Sequence, residues 1–195
     1  MNLNIPVVFH LDDKGHAYNT FANGMNWVVN GDGIATILYD GRPAFIEAQR
    51  VFRRFDLKKG DPQPSGFKLF MVSAAEHSRY LDGSYDVKRG WLRVLFGSEP
   101  MEQDIPYLEA HAAWTKGQTG MNDGLYECIE TPDGFRFVSH TGDESILDGV
   151  KRTFEGMFDF LRECKPPIKG IVFHHPDGRM AKIRRKDFGL KWPSD

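Results

Sequence analysis

No stretch of this chain stays regular for long, and that limits what it can fold into. Short β-type runs follow one another: MNWVVNG, GIATILYD, RPAFIEA, RVFRRFD, FKLFMVS, GWLRVLF, GLYECIE, FRFVSH, IKGIVFHH and RMAKIRR. Breaks rich in Gly or Pro, such as KKGDPQPSGF and GSEPMEQDIP, separate them. The 20 glycines and 11 prolines are spread over all 195 residues, so long helices and heptads are excluded. Runs of this length with turn chemistry between them predict an antiparallel-rich α+β fold with few helices. The length suits one domain over residues 1–195 and is enough to bury a core.

One segment reads as helix. In VKRTFEGMFDFLREC, Val150, Phe154, Met157, Phe158 and Leu161 recur at helical spacing. Thr153 or Asp148 can cap it, and the following Lys-Pro-Pro ends it. A shorter helix is expected around YLEAHAAW.

Composition excludes some classes. The chain carries 25 basic and 27 acidic residues, a formal charge of -2, so no global bias favours nucleic acid or membrane. No apolar run is long enough to span a bilayer, and MNLNIPVVFHLDD lacks a basic signal-peptide start. A soluble, cytoplasmic protein with no membrane contact is the expectation. Cys128 and Cys164 lack CxxC spacing and read as buried thiols. The adjacent His174 and His175 lie in a β-type run, where packing or hydrogen bonding is commoner than metal binding. No metal site is expected.

Two features carry chemistry. In TILYDGRPAF an Asp-Gly pair stands between apolar runs, the pattern of strand, tight turn and strand. Farther on, IVFHH, PDG and RMAKIRRKD predict a hairpin. On its returning strand Lys182 and Arg184 share one face, and Ala181, Ile183 and Arg185 take the other. Arg179, Lys182, Arg184, Arg185 and Lys186 then form a cationic edge suited to phosphate, or simply a solvated edge that resists aggregation. A second basic cluster, Arg50, Arg53, Arg54, Lys58 and Lys59, is interleaved with Phe52 and Phe55, which are expected to pack inward.

These stretches resemble the ATP-dependent 5′–3′ RNA ligases of the covalent nucleotidyltransferase superfamily, in particular a compact phage, bacterial and eukaryotic group. The likeness runs along WVVNGDGIATILYDG, RRFDLKKGDPQPSGF, DGLYECIE and IKGIVFHHPDGRMAKIRRKDFGLKWP. It implies an ATP-grasp-like ligase domain, a lysine nucleophile in Lys-x-Asp-Gly that is adenylylated by ATP, and Mg²⁺. Carried over by residue, Asp40 and Gly41 match the nucleophile motif and Arg54 the downstream arginine. Glu127 matches the third-motif carboxylate, and Lys182 the fifth-motif lysine with Arg184 beside it.

The likeness fails at the nucleophile and in the fourth motif, and Arg42 departs as well. Leu38 stands where the nucleophile belongs, and a leucine forms no phosphoramidate. A register through Asn30 also lacks a lysine. Lys169 replaces the fourth-motif glutamate, a change of about two charge units that disfavours Mg²⁺ and favours anions. Arg42 stands where a small polar residue is usual.

The resemblance with its departures therefore implies a degenerate ligase. It would bind a nucleotide, a nucleotide-like signal or an RNA 5′-phosphate end without self-adenylylation. The expected binding residues are Asp40, Arg42, Arg54, Glu127, Lys169, Lys182 and Arg184. No cofactor is required, and ATP with Mg²⁺ matters only if ligation survives. One alternative is an active ligase with Lys169 as relocated nucleophile. Another is a protein-interaction module, although no distinct partner surface is evident.

Overall fold

In a computed structural model the described residues are 5–69, 87–96, 100–117 and 121–192. The fold is mixed α/β and dominated by antiparallel sheet, with few helices among the described residues. The strands are β1 (Phe9–Leu11), β2 (Ala17–Phe21), β3 (Ile34–Leu38), β4 (Arg42–Glu47), β5 (Arg50–Lys58), β6 (Phe67–Leu69), β7 (Val87–Arg93), β8 (Gly124–Thr131), β9 (Gly134–Ser139), β10 (Gly170–His174) and β11 (Met180–Arg184). The helices are α1 (Asn26–Val29), α2 (Ile105–Gly117) and α3 (Phe154–Glu163), with short 3-10 turns between elements. None is long and apolar enough to cross a membrane.

Within residues 1–195, treated above as one domain, the chain divides into two compact units. One is Gly41–Ser139; the other takes the chain up to Asp40 and again from His140.

The Gly41–Ser139 unit is a six-stranded antiparallel sheet in the order β6-β7-β5-β4-β8-β9. One sheet face carries Ala44, Ile46, Val51, Tyr126, Cys128 and Phe137 against Tyr107 and Ala110 of α2. On that face Arg53 Nε donates to Asp104 Oδ1 at 2.5 Å, both side chains nearly excluded from solvent. Arg53 thus leaves the expected basic cluster and becomes a buried structural cation. Phe52 and Phe55 pack inward as expected.

The other unit holds the three-stranded sheet β11-β10-β3 and the hairpin β1-β2. Ala35, Ile171, Phe173, Ala181 and Ile183 cover one face of the three-stranded sheet, packed with Val8, Phe9, Trp27, Val28, Met157 and Leu161. α3 forms where its periodicity places it, but begins at Phe154 because Thr153 caps it: the Gly156 amide donates to Thr153 Oγ1 at 3.0 Å. Phe154 and Phe158 meet the Phe188 ring edge-on.

Several expectations are corrected. MNWVVNG holds α1, in which Trp27 and Val28 are buried side by side on a single short turn of helix. β1 and β2 carry no strong alternation and were not expected. β7 stops at Arg93, before Val94, Leu95 and Phe96. FKLFMVS is strand over Phe67–Leu69, and its remainder lies outside the described residues. The Asp-Gly pair is not a hairpin turn. β3 pairs with β10, whereas β4 pairs with β5 and β8. Gly41 is needed because β8 runs close by: a Cβ there would meet Ile129 Cγ2 at 2.8 Å and the Cys128 carbonyl at 3.0 Å.

Asp104→Ala strands the buried Arg53 guanidinium and is expected to lower stability by about 3–5 kcal/mol, read in urea unfolding. Arg53→Met with Asp104→Leu should recover most of that loss; an unchanged midpoint for Asp104→Ala alone would refute the role.

Candidate functional site

The β11-β10-β3 ladder sets the geometry. Leu38 lies across from Gly170, which lies across from Arg184. The next row on the same face is Thr36, Val172 and Lys182, and the third is Ile34, His174 and Met180. Residues directly opposite in an antiparallel ladder share a face. The face opposite the core therefore collects Leu38, Thr36, His174, Lys182 and Arg184 from three separated segments. Gly170 permits this approach, since a Cβ there would stand 2.3 Å from the Ile183 carbonyl.

Lys169 immediately precedes β10, and its Nζ donates to Asp40 Oδ1 at 2.6 Å. The backbone carbonyl of Lys169 accepts from the Arg185 amide at 3.0 Å, which fixes its start point. The structure brings Leu38, Asp40, Lys169, Lys182 and Arg184 into one unit.

The cations of this group are not equivalent. Arg184 is committed to its own turn: Nη2 donates to Asp187 Oδ1 at 2.7 Å, and the Arg184 amide to Oδ2 at 2.8 Å. Together they box the 3-10 turn Arg185–Phe188. The strand thus ends at Arg184 rather than running on through Lys186 and Asp187. Arg185 is buried and donates to the Leu161 and Lys191 carbonyls, so it leaves the expected cationic edge. Arg179 is paired with Asp177 at the hairpin tip.

Lys182 is different. It is half-buried, and among the described residues no carboxylate forms an ion pair with it. Burial lowers its pKa below the ordinary lysine range, and the charges of Arg184, Lys186 and Lys169 add to this, with Asp187 opposing.

A second polar group lies on the same face. Thr36 is fully buried; its Oγ1 stands 3.0 Å from His174 Nε2 and 3.3 Å from the Val172 carbonyl. His140 is also buried, its ring 6.2 Å from that of His174. Burial, and then the neighbouring His140, push His174 down to about 4. The sequence reading placed no function on either histidine, and His140 carried no local signal.

The remaining candidates belong to the Gly41–Ser139 unit, and sheet pleating separates them. Arg42 pairs with Cys128 on the face that α2 covers, its guanidinium 5.3 Å from the Phe135 ring centre. Glu127 and Arg54 lie on the opposite face, with Phe45, Phe52 and Trp91. Glu127 is buried, as a pocket position would require, while Arg54 is exposed and paired with Asp56 at 3.4 Å. Arg42 therefore does not share a surface with Glu127 and Arg54. Both cysteines are free; Cys164 is only partly buried, and burial pushes the Cys128 thiol up to about 12, too high for a nucleophile at neutral pH.

The donor set of the β11-β10-β3 face suits an anion. Its one well-exposed carboxylate, Asp40, is already bound to Lys169, and the neighbouring charges are cationic. Among the described residues no three His, Cys, Asp or Glu side chains stand together as metal ligands. The Mg²⁺ that the ligase resemblance implies would meet the exposed carboxylate of Asp40 here, which Lys169 holds. No family model matches the chain, and no curated protein matches it.

His174 gives a pH test. In the folded protein it stays neutral down to about pH 4, whereas in the unfolded chain it takes a proton below its usual 6.5. Between those values the unfolded state binds more protons, so stability falls as pH falls and levels off below about 4. Thermal melts across this window should show a shallower slope for His174→Gln than for the wild type; equal slopes would refute the assignment.

Proposed function

We propose that the protein binds phosphate-bearing ligands, a nucleotide, a nucleotide-like signal or an RNA 5′-phosphate end, on a degenerate RNA-ligase-like scaffold without forming an adenylylated intermediate. The observation that carries the reading is Lys182. A half-buried ammonium among Arg184, Lys186 and Lys169, with no carboxylate of its own among the described residues, gains by accepting an anion. The β-ladder holds its backbone on both sides: Val172 lies opposite on β10, and the Lys182 amide and carbonyl bond Pro6 and Val8.

Leu38 supports the non-covalent form of the reading. It lies across from Gly170, the resemblance gives its position to the nucleophile, and its side chain offers no lone pair. Lys169 is a poor replacement, because its ammonium already donates to Asp40. Arg184 contributes chiefly by shaping the turn after β11, since Asp187 neutralises it.

Titration calorimetry with ATP and with 5′-phosphorylated RNA tests this. Binding should need no Mg²⁺, weaken at least tenfold in Lys182→Ala, and fall steeply with salt for RNA. Intact mass after incubation with ATP and Mg²⁺ should show no AMP adduct. Absence of binding to either ligand, or appearance of the adduct, would overturn the proposal.

A further inference from the structure

We infer that the sheet face opposite α2 in the Gly41–Ser139 unit binds the phosphodiester backbone of a single-stranded nucleic acid, through Arg50, Arg93 and Arg54. The inference does not rest on the Lys182 reading: it concerns the other unit and needs no phosphate end.

The basic cluster of RVFRRFDLKKG splits when β5 forms. Strand alternation sends Arg53 to the face that α2 covers, where Asp104 holds it. Arg50 and Arg54 go to the other face, with Phe52 between them. Register then adds cations from the neighbouring strands. Arg93 of β7 lies opposite Phe52, and Lys68 of β6 joins the row of Arg54 across Trp91. Three successive rows of this face therefore each carry one arginine: Arg50, then Arg93, then Arg54. Rows on one face lie about 6.7 Å apart, a step close to that between successive phosphates of an extended strand.

Availability separates these cations from an ordinary solvated edge. Arg50 and Arg93 are exposed, and neither forms an ion pair among the described residues. Glu47 lies opposite Arg50, but its carboxylate is taken by Lys68. Arg54 meets Asp56 at 3.4 Å, an exposed pair that contributes little. Glu127 lies on the same face but is buried, two strands away from Arg54. A guanidinium left open in this way presents a planar fork that matches two phosphate oxygens.

The floor beneath the cations is aromatic. Phe45 stacks on Trp91 with ring centres 5.7 Å apart, and Lys68 Nζ stands 4.8 Å over the Phe52 ring. Phe52 and Trp91 are themselves buried, so they brace the basic side chains and do not stack on bases. Contacts of this kind position a strand without reading its sequence. The turn before Arg50 is also held. Ala48 and Gln49 both sit at positive φ, 48° and 61°, without being glycine. Asp123 maintains that strain by accepting from the Ala48 amide at 2.8 Å, and the Gln49 carboxamide bonds both the amide and the carbonyl of Met121. Arg50 thus starts β5 from a fixed point, which lowers the ordering cost of a phosphate contact.

Fluorescence anisotropy with a 5′-hydroxyl single-stranded RNA oligonucleotide, over a series of salt concentrations, tests the inference. Wild type should bind, with log K falling linearly as log salt rises. Arg50→Gln with Arg93→Gln should weaken binding about tenfold at low salt and reduce that slope by about 1.4, or about 0.7 for each lost phosphate contact. Each single variant carries half of this slope change should the pair fail to fold. Lys14→Gln with Lys116→Gln, an equal charge change at exposed positions outside this face, should leave the slope unchanged. No binding by wild type, or equal losses in the two double variants, overturns the inference. So does displacement of the labelled RNA by polyglutamate at matched charge as readily as by unlabelled RNA, which would make the partner an acidic peptide.

Discussion

The pairing of Ile34–Leu38 with Gly170–His174 is the contact on which the candidate site depends. It joins segments 136 residues apart at Thr36 and Val172, and it places Met180–Arg184 on the far side of the same strand. Without it, Leu38 and Asp40 would have no fixed relation to Lys169 and Lys182. Apolar burial drives the pairing from one side, where Ile171, Phe173, Ala181 and Ile183 are fully buried. The other side mixes Thr36, His174, Lys182 and Arg184 with Ile34, Leu38, Val172 and Met180, as strand alternation dictates.

What that polar side can do follows from which charges are already answered. Asp187 answers Arg184 and serves the turn that ends β11; Asp40 answers Lys169 in a pair that faces solvent. Lys182 has neighbours of its own sign instead. A static list of basic residues would rank these three alike. Their surroundings separate a cation tied into a turn, one in an exposed ion pair and one half-buried among cations. Thr36 and His174 lie along the same face, and burial keeps His174 neutral at ordinary pH, so they shape the surface without adding to its charge.

The parts legible in the sequence were those governed by local rules. The PDG turn and the alternation of Met180–Arg184 identified the hairpin, and the 3-4 spacing with Thr153 identified α3. The misreadings came from residues whose role is set by distant neighbours. Gly41 resembles a turn glycine but serves the close passage of β8. Arg53 sits among exposed cations in the sequence, yet Asp104 draws it into the core. Arg185 continues a basic run, but its guanidinium is spent on main-chain carbonyls of Leu161 and Lys191. Arg42 and Glu127 looked like members of one site, and only the register of β4 with β8 puts them on opposite faces. The α+β, antiparallel character was readable because run length and turn chemistry are local; the division into two units was not, because Asp40-Gly41 carries no compositional break.

That division has a consequence for synthesis. The unit that bears the candidate site is assembled from two stretches of chain, with Gly41–Ser139 lying between them. A ribosome delivers β3 first and its partner β10 only after that whole interval, on the order of ten seconds later at ordinary elongation rates. During this wait Ile34–Leu38 lacks its β10 partner. The ladder that sets Leu38, Lys169 and Lys182 in relation is therefore the last part of this unit that the nascent chain can close.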